Sequence, residues 1–168
     1  MRTYSHAALT YAALRLVNRS ASEATITALG ATLPDLPVGA GAAWLWTKKR
    51  SACRHDFDRE VCGRSVFRVP DAAAHSFLLL SGAALALRGP GAGRWFLAGW
   101  AGHLVLDFLT HSSDARPQFW PLSGWRFRSP VSYRERSRHG RIAAVVEHAL
   151  LALALLLALA LLLAGSER

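Results

Sequence analysis

Apolar residues fall along this chain in blocks, and one block differs from the rest. From Ile142 to Ala164, 23 residues run with only Glu147 and His148 interrupting. At 1.5 Å per residue a helix of that length reaches roughly 34 Å, enough for a hydrocarbon core of about 30 Å. A helix apolar all round has no solvent face, so this block predicts a transmembrane span. The other blocks are shorter. Ser5–Val17 predicts a helix with Ser5 as its cap; Ser22–Leu33 predicts a second, with Ser22 capping and Glu23 at its positive end. Pro34-Asp35-Leu36-Pro37 should stop that second helix, because a residue before proline avoids the helical region. Gly39–Trp46 is apolar but short, suited to a re-entrant or interfacial piece. His75–Leu87 and Trp95–Thr110 predict the arms of a membrane-associated hairpin turned at Gly89-Pro90-Gly91. Two stretches lack such pattern and predict irregular loops. They are Lys48–Arg68, with seven basic and three acidic residues, and Asp114–Arg141, with seven arginines and prolines at 117, 121 and 130.

The blocks predict an all-α fold: a helical membrane protein with a short-helix bundle and a C-terminal transmembrane helix. A chain of 168 residues holds one domain, 1–168, in which 1–141 supply helices and basic loops and 142–164 the span. A composition that is 52% hydrophobic and rich in Ala and Leu agrees with helix. The net charge of +9 rests almost wholly on arginine, Lys48 and Lys49 being the only lysines. Such a surplus suits nucleic acid or an anionic membrane face. Here the arginines gather in loops between apolar blocks, so the expected partner is the lipid bilayer and no nucleic acid. Both basic loops flank the hairpin and belong on one side, the cytoplasmic one, with the residues after Ala164 facing outward. The expected location is a bacterial-type inner (plasma) membrane. Met1–Val17 is no secretory signal, since it lacks a long apolar core and contains His6 and Arg15. Cys53 and Cys62 are spaced C-x8-C around His55, which fits no common zinc module, and read as plain thiols.

The chemistry lies in the apolar blocks. His103-Leu-Val-Leu-Asp107-Phe-Leu-Thr-His111 sets two imidazoles and a carboxylate four residues apart, on one face of a helix, with Asp114 one turn further if the helix continues. Burying Asp and His among Leu, Val and Phe is costly unless something pairs with them, and a divalent cation does so effectively. Asp107 is the hardest of these to read as a mere satisfied polar residue. Three further elements add donors: His6 in the first helix, Asp35 after the second, and His75 at the start of the hairpin. The hairpin should bring His75 and His111 to the same membrane face. Zn²⁺ suits a His/Asp set best, with Mn²⁺ or Fe²⁺ also compatible. Glu147 and His148 are placed to support the site from the last helix, whereas His55 and His139 lie in basic loops and read as solvated.

Ser5-His6-Ala, Leu33-Pro34-Asp35-Leu36-Pro37, His75-Ser76 and Gly102-His103-x3-Asp107-x2-Thr110-His111 resemble the motif series of the YdjM-like membrane-bound metal-dependent hydrolases. Phe119-Trp120-Pro121-Leu122-Ser123 through Ser129-Pro130-Val131-Ser132-Tyr133 resembles a hallmark of one branch. The likeness runs from His6 to the final span, and four motifs in order are more specific than any one. That family is in turn distantly similar to helical zinc phospholipase C and single-strand nuclease proteins. One departure is Arg68-Val-Pro-Asp71-Ala-Ala-Ala-His75: an upstream His is missing and Ala74 replaces Thr.

The resemblance implies a metal-dependent hydrolase acting on a phosphoester, its substrate a small molecule or a lipid ester. The metal set is His6, Asp35, His75, His103, Asp107, His111 and Asp114, with Asp35 also the catalytic bridging ligand or general base. Arginines of the 126–141 loop would hold an anionic substrate. The competing class is a non-enzymatic membrane protein with a structural metal site or an ion pathway. A pathway needs polar residues across the whole membrane, and here they gather near one face.

Overall fold

A computed structural model describes residues 2–49, 53–87 and 89–166. Every regular element among them is helical, as the blocks predict. Helix α1 (Thr3–Leu16) ends in a turn through Asn18, a residue that tolerates its positive φ of 59°. Helix α2 (Ala21–Thr32) is capped two residues before the expected position. Ser20, not Ser22, is the N-cap: its Oγ accepts from the Glu23 amide at 3.2 Å, while the Glu23 carboxylate accepts from the Ser20 amide at 3.1 Å. This reciprocal pair satisfies two helix-end donors, a stronger arrangement than a lone hydroxyl. Ser5 likewise does not cap α1; it lies inside the helix, and Arg2 occupies the N-cap position.

The Pro-Asp-Leu-Pro segment redirects the helix and does not stop it. A 3₁₀ turn, Leu33–Asp35, joins α2 directly to α3 (Leu36–Lys48). Leu33 and Leu36, each followed by proline, keep helical φ of −51° and −56°. Pro34 and Pro37 sit in the first turn of a new helical segment, where the missing N–H would have had no partner. Asp35 is therefore held on a rigid corner, not on a flexible loop.

The segment expected to be an irregular basic loop is partly helical. Short α4 (Arg54–Phe57) runs into a π-helical turn (Asp58–Cys62), and α5 (Ser65–Ala74) follows. Charges that suggested a loop pair locally instead: Arg64 donates to the Glu60 carboxylate one turn away, at 3.0 Å through Nε. His75 closes α5 and does not open the next helix, which is α6 (Phe77–Ala86), capped by Ser76 Oγ accepting from the Leu79 amide. The two helices meet at a 64° bend. Gly91, at φ 117°, leads into α7 (Ala92–Thr110). An irregular stretch then carries one 3₁₀ turn (Arg136–Arg138) before α8 (Gly140–Ser166).

Helix α2 packs on α7 with backbone against backbone. A Cβ at Gly99 would lie 2.8 Å from the Ala31 nitrogen and closer still to the Thr27 carbonyl oxygen; a Cβ at Gly30 would press equally on Phe96. The close approach fixes the register of α7 just where Gly99 is followed, one turn on, by His103. At one end of the bundle Arg19 and Arg94 cover the face of Trp95. At the other, α2, α5 and α7 end where α1 and α8 begin, and the candidate site residues lie there.

Much of the exterior is apolar. Helix α6 buries no residue, and Leu78, Leu85, Val105 and Leu109 are exposed on α6 and α7. Gly140–Ala160 of α8 is long and apolar enough to cross a membrane, and only 6% of that stretch is buried against the rest of the chain. So little burial is unlike the core helix of a soluble protein.

Candidate metal centre

Four side chains from three places in the chain converge on one point. Asp35 comes from the corner after α2, His75 from the end of α5, and His103 and Asp107 from successive turns of α7; one donor atom of each lies within 4.8 Å of every other. His75 Nε2 is 3.5 Å from Asp107 Oδ2 and 3.9 Å from Asp35 Oδ1. His103 Nε2 is 3.3 Å and 3.9 Å from the same two oxygens. A tetrahedron with metal–ligand bonds of roughly 2.0–2.1 Å has edges of about 3.3–3.4 Å, so the four atoms are spaced as a slightly expanded zinc shell.

The imidazoles are already oriented for that role. His103 Nδ1 donates to the Ala31 carbonyl at 2.7 Å, and His75 Nδ1 to the Asp71 carbonyl at 2.8 Å. Each bond fixes the tautomer and aims the Nε2 lone pair inward, the usual outer-shell support of a metal-binding histidine. Both Nε2 atoms are buried with no group in hydrogen-bonding geometry. Two such nitrogens facing two carboxylates call for positive charge between them, supplied either by a cation or by a proton on the imidazole. The donor set thus fits a divalent ion.

His6 and His111 complete a second ring around Asp107. His6 Nε2 is 3.1 Å from Asp107 Oδ1, and its ring stacks on that of His103 with centroids 3.9 Å apart. His111 does not continue the helix: it is the extended C-cap of α7, with both its amide and Nδ1 directed at the Asp107 carbonyl. Asp107 thus turns Oδ2 to the four-donor point and Oδ1 to His6 and His111. Asp114 reaches the site by the turn after His111, not by helical register, and its Oδ2 is 3.8 Å from His111 Nε2. It also pairs with Arg134 at 3.3 Å. All seven residues picked from the sequence are therefore in one neighbourhood, four of them as a compact donor set.

Charge follows burial and proximity. Burial pushes His6 below its ordinary value and His111 down to about 4, so both rings are neutral at neutral pH. For His103 burial acts downward too, but Asp107 and Asp35 outweigh it and the net shift is upward. Asp107 is buried, yet His103, His6 and His75 hold its carboxyl well below the usual range. A proton on His103 would have to leave before a cation took its place, so loading should depend on pH.

Four further residues support the cluster, of which the sequence singles out only Glu147. Asp71 lies four residues before His75, with its carboxylate 3.4 Å from His75 Nδ1. Arg116, largely buried, bonds Asp71 Oδ2 at 3.1 Å and the Asp114 carbonyl at 2.9 Å, so that Asp71 raises its pKa against the pull of burial. Glu147, nearly wholly buried on α8, accepts from the Arg2 amide at 2.9 Å and from Ser5 Oγ. Thr3 Oγ1, on the same turn of α1, donates to Asp35 Oδ2 at 2.6 Å. His148 is exposed, as are His55 and His139, and Cys53 and Cys62 are free thiols.

The centre opens on a cleft of about 900 Å³. Asp35 and His111 stand at its wall, with Arg68, Arg116, Arg126 and Arg134 around it. No protein-family model, curated protein or solved structure matches the chain.

Proposed function

We propose that the chain is a membrane-bound, metal-dependent hydrolase that cleaves a phosphoester. The observation that carries the reading is the pair of imidazole nitrogens, His75 Nε2 and His103 Nε2, facing Asp107 and Asp35, the last of which stands at the wall of an arginine-lined cleft. The motif resemblance to YdjM-like hydrolases supports it, as does the unpacked apolar α8, which on this reading crosses a bacterial inner membrane. The basic segments then lie on the cytoplasmic side, and reporter fusions after Arg68 and Arg138 should both read cytoplasm, with one after Arg168 reading the opposite side.

His75, His103 and Asp107 would hold the ion and leave a position open beside Asp35, with His6, His111 and Asp114 around Asp107 as a second set of donors. When bound, a divalent cation supplies a water of lowered pKa and positive charge for the attacked phosphoryl oxygen. The chain's own residues do the rest. Asp35 Oδ2 is fixed by Thr3 while Oδ1 faces the donor point, so this carboxylate is set to accept a proton from the attacking water. Arg68 and Arg126 make no ion pair among the described residues, and a guanidinium fork matches two phosphoryl oxygens. Asp107, shielded by four imidazoles, carries charge balance and not proton transfer.

Metal analysis of detergent-purified protein tests the centre. At least one equivalent of zinc, manganese or iron is expected in the wild type and less than a tenth of that in an Asp107→Asn, His111→Ala double variant. Equal content in the two would refute the site. Full metal with no hydrolysis across a broad panel of phosphoesters would leave a structural ion instead.

A further inference from the structure

We infer that the substrate is a phosphorylated amphiphile drawn from the bilayer, its headgroup entering the cleft, and not a water-soluble phosphoester. This deepens the hydrolase reading above and rests on it. The first observation is depth. One turn of α1 holds both sides of the junction: Arg2 and Ser5 bond Glu147 of α8, while Thr3 and His6 hold Asp35 and Asp107. The donor point therefore stands about one helix diameter from Glu147. Counting about 20 residues back from Ala164, the length that fills a hydrocarbon core, reaches residue 145, next to Glu147. The centre is held at the boundary of headgroups and acyl chains, where a soluble ester is scarce and a lipid phosphate is abundant.

The second observation is the mixed lining of the cleft. It carries the guanidinium groups of Arg68 and Arg126, unpaired among the described residues, together with apolar Phe57, Val61, Phe67 and Trp120. A small anionic ester needs only the guanidinium groups; an amphiphile uses the apolar lining as well. Arg2 belongs to the cleft wall and also lies 3.6 Å from the Glu147 carboxylate, so the cleft reaches the base of α8. Tyr4 beside it is 55% exposed, as an aromatic at a membrane interface is. In the reaction, water oxygen bonds to phosphorus and the bond from phosphorus to one esterified alcohol breaks. One water proton leaves with that alcohol, and the other stays with the phosphate product.

Two measurements test the inference. In the first, metal-free protein in a single detergent is titrated with dihexanoyl phosphatidate and, separately, with glycerol 3-phosphate, which has the same headgroup without chains. At least tenfold tighter binding of the phosphatidate is expected, and an Arg68→Ala, Arg126→Ala variant should lose at least tenfold of it. Equal binding of the two probes, or no effect of the arginine substitutions, overturns the inference. In the second, zinc-loaded protein in phospholipid vesicles is given those lipids or bis(4-nitrophenyl) phosphate. Release of lipid-derived alcohol or phosphate at a rate well above that on the aryl ester supports it. Faster turnover of the aryl ester overturns it and leaves the hydrolase reading standing, whereas hydrolysis of neither removes both.

Discussion

Two glycines three residues apart on α7 should respond oppositely to the same substitution. At Gly102 an added Cβ meets nothing within 4 Å and the residue is exposed, so Gly102→Ala removes only the conformational freedom that glycine has in the unfolded chain. That stabilises by about 0.5–1 kcal/mol. At Gly99 the Cβ would lie 2.8 Å from the Ala31 nitrogen and 2.8 Å from the Thr27 carbonyl carbon, with the Thr27 oxygen nearer. Ordinary contact begins near 3.4 Å, so the 2.8 Å contacts alone require roughly 0.6 Å of separation between α2 and α7, and the nearer Thr27 oxygen requires more. Both obstacles are backbone, with no flexible side chain to yield, and overpacking of this kind costs about 1–3 kcal/mol. The displacement also draws His103 from the Ala31 carbonyl that orients it, so metal content should fall with stability. Thermal unfolding in detergent, with metal analysis of the same samples, measures both. The expected result is Gly99→Ala lower in Tm by several degrees with less metal, and Gly102→Ala equal to or above wild type with full metal. A Gly99→Ala protein as stable and as metal-rich as Gly102→Ala would show that the two helices do not meet at this face.

Two further substitutions separate the roles of neighbouring carboxylates. Asp35→Asn keeps a hydrogen-bonding group for Thr3 and lies on the cleft wall, so membrane insertion and Tm should stay near wild type while phosphoester hydrolysis falls at least 100-fold; retained activity would remove Asp35 as proton acceptor. Glu147→Gln keeps an acceptor for the Arg2 amide and Ser5 Oγ and loses only a partly exposed ion pair, a loss of under about 1 kcal/mol. Glu147→Leu strands both donors and should cost about 1–3 kcal/mol, with reduced metal content; equal Tm values for the Gln and Leu variants would show that the Glu147 bonds do not hold α1.

The sequence carried the site further than it carried the helix boundaries. The spacing of His103 and Asp107 is read from the chain because α7 is regular there, and four residues make one turn wherever a helix is known. The same rule applies to Asp71 and His75, which are also four apart, but the expected basic loop runs to Arg68 and no helix is expected over 69–74, so the pair goes unseen. Arg116 could not be singled out from the other arginines of its segment, because its burial against Asp71 is a matter of tertiary packing. Pro34 and Pro37 misled for a local reason: the rule that a residue before proline avoids helix is a bias, and a helix restarting at each proline satisfies the backbone equally well. The close approaches of Gly30 to Phe96 and of Gly99 to Thr27 and Ala31 leave no mark in either helix alone, since each glycine's meaning lies in the other helix.

The opening turn of α1 has a consequence for biogenesis. Asp35, His75, His103, Asp107 and His111 have all been synthesised well before Glu147, the acceptor for Arg2 and Ser5 of that turn. Until α8 is in place, the Arg2 amide at the head of α1 lacks the Glu147 carboxylate that receives it, and the same turn carries the Thr3 and His6 contacts to Asp35 and Asp107. Assembly of the centre is thereby tied to a helix made after every residue of the donor cluster. A chain that stalls before α8 is complete holds Asp35 and Asp107 without the anchored turn that contacts them.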